Sequence, residues 1–251
     1  MRGVFVTGTG TGVGKTVVAA AIARTQVAKG RRVNVFKPVL SGLDDPGEPD
    51  HELLRRAAGS SQTDDQVAPH RFSPAVSPHL AAQMAGQAID PSALLAAARV
   101  AAGDADFLVC EGVGGYLVPI AGNYLVRDLA RDLALPVVVV ASPGLGTINH
   151  TLLTLEALAA DGLEVSAVVI TPWPESPSEM EMSNRATIGE LGSVEVLVLG
   201  VLDLADPAGW PSFEIANRGR SRRDPGTARL RTPPRAGPRQ GDLGGDRPRC
   251  P

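Results

Sequence analysis

The segment GTGTGVGKT, residues 8–16, stands between an apolar run at residues 4–7 and an Ala/Val-rich stretch that opens at Lys15. A glycine-rich turn between a strand and a helix directs successive backbone N–H groups at phosphate oxygens, and the helix N-terminus adds its positive dipole. In such a loop Gly12, Val13, Gly14, Lys15, Thr16 and Val17 surround the phosphates of a nucleotide. Lys15 reaches the β and γ phosphates, and the Thr16 hydroxyl ligates Mg²⁺. The register departs from G-x-x-x-x-G-K-[ST], because Thr9 occupies the place of the first glycine and Gly8 leaves five intervening residues. The flanking strand and helix patterns keep the phosphate-loop reading.

Short β-branched runs alternate with Ala/Leu-rich stretches along the rest of the body. The pattern predicts strands at 4–7, 33–37, 107–111, 137–141, 165–170 and 196–199. Helices are predicted at 15–29, 50–58, 78–85, 91–102, 126–133, 147–160 and 178–191. Several strands are apolar throughout, as strands covered on both faces are. The expected architecture is an α/β, three-layer fold of the P-loop NTPase kind, a mostly parallel sheet with helices on both faces. Ser77 and Asp90 each precede a proline and are expected to cap the helices that follow. Residues 40–49 and 59–76 read as long polar loops, the kind of connection that carries ligands.

The chain has 24 basic residues, of which only Lys15, Lys29 and Lys37 are lysines. Lys29 precedes Gly30 at a helix C-terminus, where a cation complements the dipole. Lys37 ends a strand beside the phosphate loop, at the edge where open parallel sheets bind ligands. A compact ammonium there is a reason to keep lysine in a chain that otherwise uses arginine. Phosphoryl transfer also needs hard oxygen ligands for a metal. Glu111 ends an apolar strand and opens the turn EGVGG, with Gly112, Val113 and Gly114 close behind it. Asp50 opens the helix DHELLRRAA and from spacing alone is either a cap or a metal ligand. The four histidines show no ligand spacing.

Composition changes at residue 217. Residues 217–251 hold ten Arg and three acids, a balance of +7, so the first 216 residues carry −10 of the total −3. Residues 1–216 are therefore expected to form one domain and 217–251 a disordered Arg/Pro/Gly-rich tail. The acidic body argues against nucleic-acid or anionic-membrane binding. Two cysteines, no signal-peptide core and no apolar span suggest a soluble, cytoplasmic protein.

Five segments in order, FVTGTGTGVGKT, KPVLSG, SPHLAA, EGVGG and GLGTINH, resemble the dethiobiotin synthetases of biotin biosynthesis. The resemblance covers about residues 3–202. It implies a homodimer that converts 7,8-diaminopelargonate, CO₂ and ATP to dethiobiotin, ADP and phosphate with Mg²⁺. One substrate amine captures CO₂ as a carbamate, the carbamate attacks the γ phosphate, and the second amine closes the ring on the mixed anhydride. Matched by motif, Lys37 and Lys15 are the catalytic lysines. Thr11, Ser41 and Asn149 contact the substrate, and Thr16, Asp50 and Glu111 form the magnesium environment. The resemblance also puts Thr171, Pro172, Val201 and Leu202 around the nucleotide.

At Thr171 many members carry an asparagine that reads the adenine edge, so this chain is expected to accept triphosphates besides ATP. The competing reading is a partition or division-site ATPase that uses the same fold as a switch. Such proteins usually have a second lysine early in the loop, where this chain has Thr9.

Overall fold

The computed structural model describes residues 1–215, so the expected tail at 217–251 lies outside the described residues. In chain order the elements are β1 (Gly3–Gly8), α1 (Lys15–Ala28), β2 (Val33–Phe36), β3 (Val39–Ser41), α2 (Asp50–Ala58) and α3 (Asp64–Val67). Next come β4 (His70–Phe72), α4 (Pro78–Met84), α5 (Pro91–Ala102), β5 (Phe107–Glu111), β6 (Pro119–Ala121), β7 (Tyr124–Leu125) and α6 (Val126–Leu133). The body closes with β8 (Val137–Ala141), α7 (Thr147–Ala160), β9 (Val165–Ile170), α8 (Glu179–Gly192) and β10 (Val196–Val198). The six strands expected from sequence form one sheet in the order β10-β9-β8-β1-β5-β2, and every neighbouring pair is parallel.

Both faces of this sheet are covered. Phe5, Leu108, Cys110, Val137 and Val139 pack with Leu94, Leu129 and Leu158 of α5, α6 and α7. The alternate residues Val4, Val6, Val109, Val138 and Val140 pack with Val18, Ile22 and Leu54 of α1 and α2. This two-sided burial is why the strand sequences are apolar throughout.

The same alternation orients the site. Lys37 lies two residues after Val35, and Glu111 two after Val109, so both side chains follow the face that carries α1 and α2. Phe36 pairs in register with Cys110, which brings Lys37 and Glu111 abreast at the C-terminal edge of β2 and β5.

Some short elements escaped the sequence pattern. Residues 59–76 contain α3, whose Thr63 and Gln66 form a reciprocal capping box, and β4, which pairs with β3 in parallel. The pair β6–β7 follows the glycine turn. Elements of two to four residues show too little periodicity to be read from sequence. The strand expected at 33–37 stops at Phe36, and the one at 196–199 stops at Val198. Asp90 caps α5 by accepting the Ser92 N–H at 2.9 Å, but Ser77 makes no capping hydrogen bond, contrary to expectation. The described residues 211–215 are irregular chain. There Phe213 is buried and donates its N–H to Thr25 Oγ1 at 2.8 Å. Among the described residues, no helix is long and apolar enough to cross a membrane.

Candidate active site

The phosphate loop owes its path to two glycines in the left-handed region, Gly12 at φ 72° and Gly14 at φ 89°. A side chain at Gly14 would also stand 2.6 Å from the Thr171 methyl, so the loop lies directly against the end of β9. The second glycine turn, residues 111–115, rests on the other side. A Cβ at Gly114 would come within 3.6 Å of Thr11 Oγ1, and one at Gly115 would stand 3.6 Å from the Gly8 carbonyl. Gly114, at φ 61°, requires glycine because a Cβ there would also meet Val118 Cγ2 at 2.9 Å, whereas the approach at Gly115 is ordinary contact.

Four elements converge behind the loop. Lys37 Nζ lies 2.7 Å from Glu111 Oε1 and 2.6 Å from Asp50 Oδ2. Thr16 Oγ1 donates to the same Glu111 oxygen at 3.0 Å. Lys15, its stem packed over Gly8, donates from Nζ to the Gly10 carbonyl at 2.8 Å. Lys37 is 4% exposed and Glu111 0%, so neither is a solvated strand end. Asp50 is not a cap, since Pro49 occupies that place and the carboxylate is drawn to Lys37.

Burial and charge oppose one another here. Burial pulls the Lys37 ammonium toward neutrality, but Glu111 and Asp50 overcome it and hold its pKa above the usual lysine value. Burial pushes the Asp50 carboxyl upward, yet Lys37 and Thr16 leave it below the ordinary carboxylate range. Burial raises Glu111 despite Lys37. Lys15 is lowered, chiefly by burial and further by the Lys37 charge.

Glu111 Oε2 is buried without a hydrogen-bond partner. An orphaned carboxylate oxygen beside a hydroxyl and a second carboxylate is a hard-oxygen donor set suited to Mg²⁺. Thr16, Asp50 and Glu111, expected as magnesium ligands from the sequence, thus fit such an ion.

The remaining expected residues surround this cluster less closely. Ser41 ends β3 and is half-buried. Asn149 is exposed in the first turn of α7. Among the described residues, no hydrogen bond joins either one to the lysines. Val13 packs into the α1 core, Val17 is half-buried, and Gly112 packs against Phe5 and Val126. Val113 is half-buried, and Pro172 is exposed beside buried Thr171. Val201 is 83% exposed and Leu202 half-buried.

Supporting residues were not legible beforehand. Asn184 of α8 is buried and donates Nδ2 to the carbonyls of Pro143 and Gly144 at 3.0 and 3.4 Å, fixing the turn before α7. Asp161 accepts Tyr116 Oη at 2.8 Å and Arg127 Nη2 at 2.5 Å, anchoring the chain just after the second glycine turn. A polar residue within a half-buried helix was the available signal for Asn184, but its partners are about 40 residues distant in sequence.

A family described as "AAA domain" matches residues 2–212. The chain is 43% identical to the ATP-dependent dethiobiotin synthetase of Anaeromyxobacter dehalogenans, covering 79% of this chain and 89% of that protein. It is 40% identical to the ATP-dependent dethiobiotin synthetase of Rhodococcus erythropolis and 36% to that of Bacillus subtilis, each match covering 78% of this chain and 86% of the relative. A solved structure of the septum site-determining protein MinD from Pyrococcus horikoshii with Mg-ADP is 20% identical, with a TM-score of 0.42 over 73% of this chain and 76% of its own. The ordered motifs, the buried lysine and carboxylate cluster, and relatives at this identity agree: the chain belongs to the ATP-dependent dethiobiotin synthetase family.

Proposed function

We propose that this chain closes the ureido ring of dethiobiotin on 7,8-diaminopelargonate, using CO₂ and a nucleoside triphosphate. The observation that carries the reading is the buried Lys37 ammonium, held between Glu111 and Asp50 beside Thr16 and the phosphate loop. A carbamate and a triphosphate repel one another, so their reaction needs fixed cations at the meeting point. Lys37 holds the carbamate and offsets charge on the transferring group. Lys15 exchanges the Gly10 carbonyl for phosphate oxygens and bridges them to the carbamate. Thr16, Asp50 and Glu111 would hold Mg²⁺, which when bound would supply further charge neutralisation. Thr11 and Ser41 line the diamine side, and the closely stacked glycine turns keep water from the mixed anhydride.

The base side is the least committed part. Thr171, at the end of β9, turns its methyl toward Gly14 and offers no amide to an adenine edge. The chain accordingly uses CTP and GTP as well as ATP; a strong preference for ATP in parallel kinetics would overturn this. Leu145, 93% exposed before α7, and the exposed Asn149 and Leu153 at four-residue spacing form the homodimer face. The place of work is the cytoplasm, and small molecules rather than nucleic acid are its partners.

Formation of dethiobiotin from the diamine, bicarbonate, Mg²⁺ and nucleotide, with stoichiometric phosphate release, tests the reaction. Nucleotide hydrolysis that neither depends on the diamine nor yields dethiobiotin would sink it and favour a switch ATPase.

A further inference from the structure

The chain from Leu199 to Ile215 has no strand of its own, yet side chains fasten it at defined points. Arg56, on α2, donates from Nη1 to the Ala205 carbonyl at 3.0 Å and from Nη2 to the Leu204 carbonyl at 2.7 Å. Its Nε and Nη2 also reach Glu48 Oε1 and Oε2 at 3.0 and 2.6 Å. Trp210 Nε1 donates to the Asp203 carbonyl at 2.6 Å, and the Ala205 N–H donates to Asp203 Oδ1 at 3.0 Å. Three successive carbonyls, 203 to 205, are therefore held by side chains, the first by Trp210 of the same segment and the other two by Arg56 of α2.

Glu48 lies two residues before Asp50, in the irregular stretch that leads from Ser41 to α2. Arg56 thus ties together two segments without regular structure. One delivers Asp50 to Lys37, and the other continues directly from Val201 and Leu202. A planar guanidinium can grip a carboxylate with one edge and carbonyls with the other, whereas an ammonium presents no such fork.

We propose that Arg56 is a positioning residue that sets the wall formed by residues 200–205 and couples it to the segment carrying Ser41 and Asp50. The inference rests on the reading that Val201 and Leu202 border the nucleotide. Nucleotide that orders 200–205 fixes Arg56, which fixes Glu48, so the diamine segment is ordered before the diamine arrives. By reciprocity the diamine tightens nucleotide binding by the same factor.

Kinetics and binding on full chains carrying Arg56→Gln, Arg56→Lys, Glu48→Gln or Leu202→Ala test it. Arg56→Gln raises the nucleotide KM about tenfold while kcat falls less than about threefold. The tightening of diamine binding by a non-hydrolysable ATP analogue shrinks alongside. Arg56→Lys does not rescue either effect, and Glu48→Gln shows a smaller loss of the coupling. If Arg56→Gln leaves both KM values and the coupling unchanged while Leu202→Ala shifts the nucleotide KM, the role of Arg56 is overturned and the pocket wall stands. If Leu202→Ala shifts nothing either, the placement of 200–202 beside the nucleotide fails as well. A fall in Tm with unchanged KM values makes Arg56 a structural clamp only and overturns the proposal.

Discussion

Lys37 Nζ stands 2.7 Å from Glu111 Oε1, although 74 residues separate the two in the chain. Their meeting follows from the parallel register of β2 and β5, in which Phe36 faces Cys110 and the next residue of each strand is the charged one. A buried ion pair of this kind contributes little net stability, because desolvation offsets most of the attraction. Under the proposed reaction, its value is a cation fixed where the substrate and phosphate charges would meet.

Lys37→Met should therefore lose activity and stability together. It removes the ammonium and leaves Glu111 facing Asp50 without its cation, a change that costs about 3–5 kcal/mol when a buried pair is broken. Dethiobiotin production should fall at least about 100-fold. Adding Glu111→Gln to Lys37→Met should recover much of the lost Tm but none of the turnover. Recovery of turnover in the double variant would show that Lys37 acts structurally.

Gly14→Ala should abolish tight nucleotide binding while leaving the sheet intact. Its φ of 89° is strained for any side chain, and the new Cβ would meet the Thr171 methyl at 2.6 Å. Calorimetric titration with Mg-ATP should show affinity lost by at least about tenfold, since relieving the clash moves the loop N–H groups off their targets. Circular dichroism should remain that of the parent. Unchanged affinity would mean that the loop tolerates a shift of its backbone.

Asn184→Leu removes the donor that holds the Pro143 and Gly144 carbonyls. The half-buried Pro143 carbonyl loses this donor and the Gly144 carbonyl keeps the Thr147 N–H at 3.2 Å, so the cost is about 0.5–1.5 kcal/mol. The turn before α7 should loosen, raising the KM for the diamine several-fold while the nucleotide KM stays near the parent value. Equal shifts in both would place the turn's influence on the whole site.

Stability should fall on the acid side as pH drops through the ordinary histidine range. His70, stacked on Phe72 with ring centroids 6.4 Å apart, is held below the usual histidine pKa by burial. His51 is lowered too, burial outweighing the attraction of Asp64. A depressed histidine means that the unfolded chain binds more protons, so stability is full above the unfolded value of about 6.5 and declines as pH falls through it. Tm measured across about pH 5 to 8 should show this slope, and His70→Gln should flatten part of it. A Tm independent of pH in that window would remove both histidines from the account.

The local signals were strong where one stretch of chain carried both cause and effect. The phosphate loop, its glycines and the six sheet strands were legible because hydrophobic run, turn and helix start are adjacent in sequence. The importance of Lys37 and Glu111 could be suspected from their position at strand ends. Asp50 was ambiguous, since an acid opening a helix suits capping as well as metal binding, and the structure removes the capping reading by placing Pro49 at the cap and the carboxylate 2.6 Å from Lys37. Arg56 and Asn184 were invisible because their partners lie at Leu204–Ala205 and Pro143–Gly144, far along the chain. The sequence by itself determined the order of elements and the residue types able to handle phosphate, because periodicity and turn chemistry are local. Tertiary structure alone decided which charges share a buried space, since register and helix packing join distant residues and set the balance between desolvation and pairing.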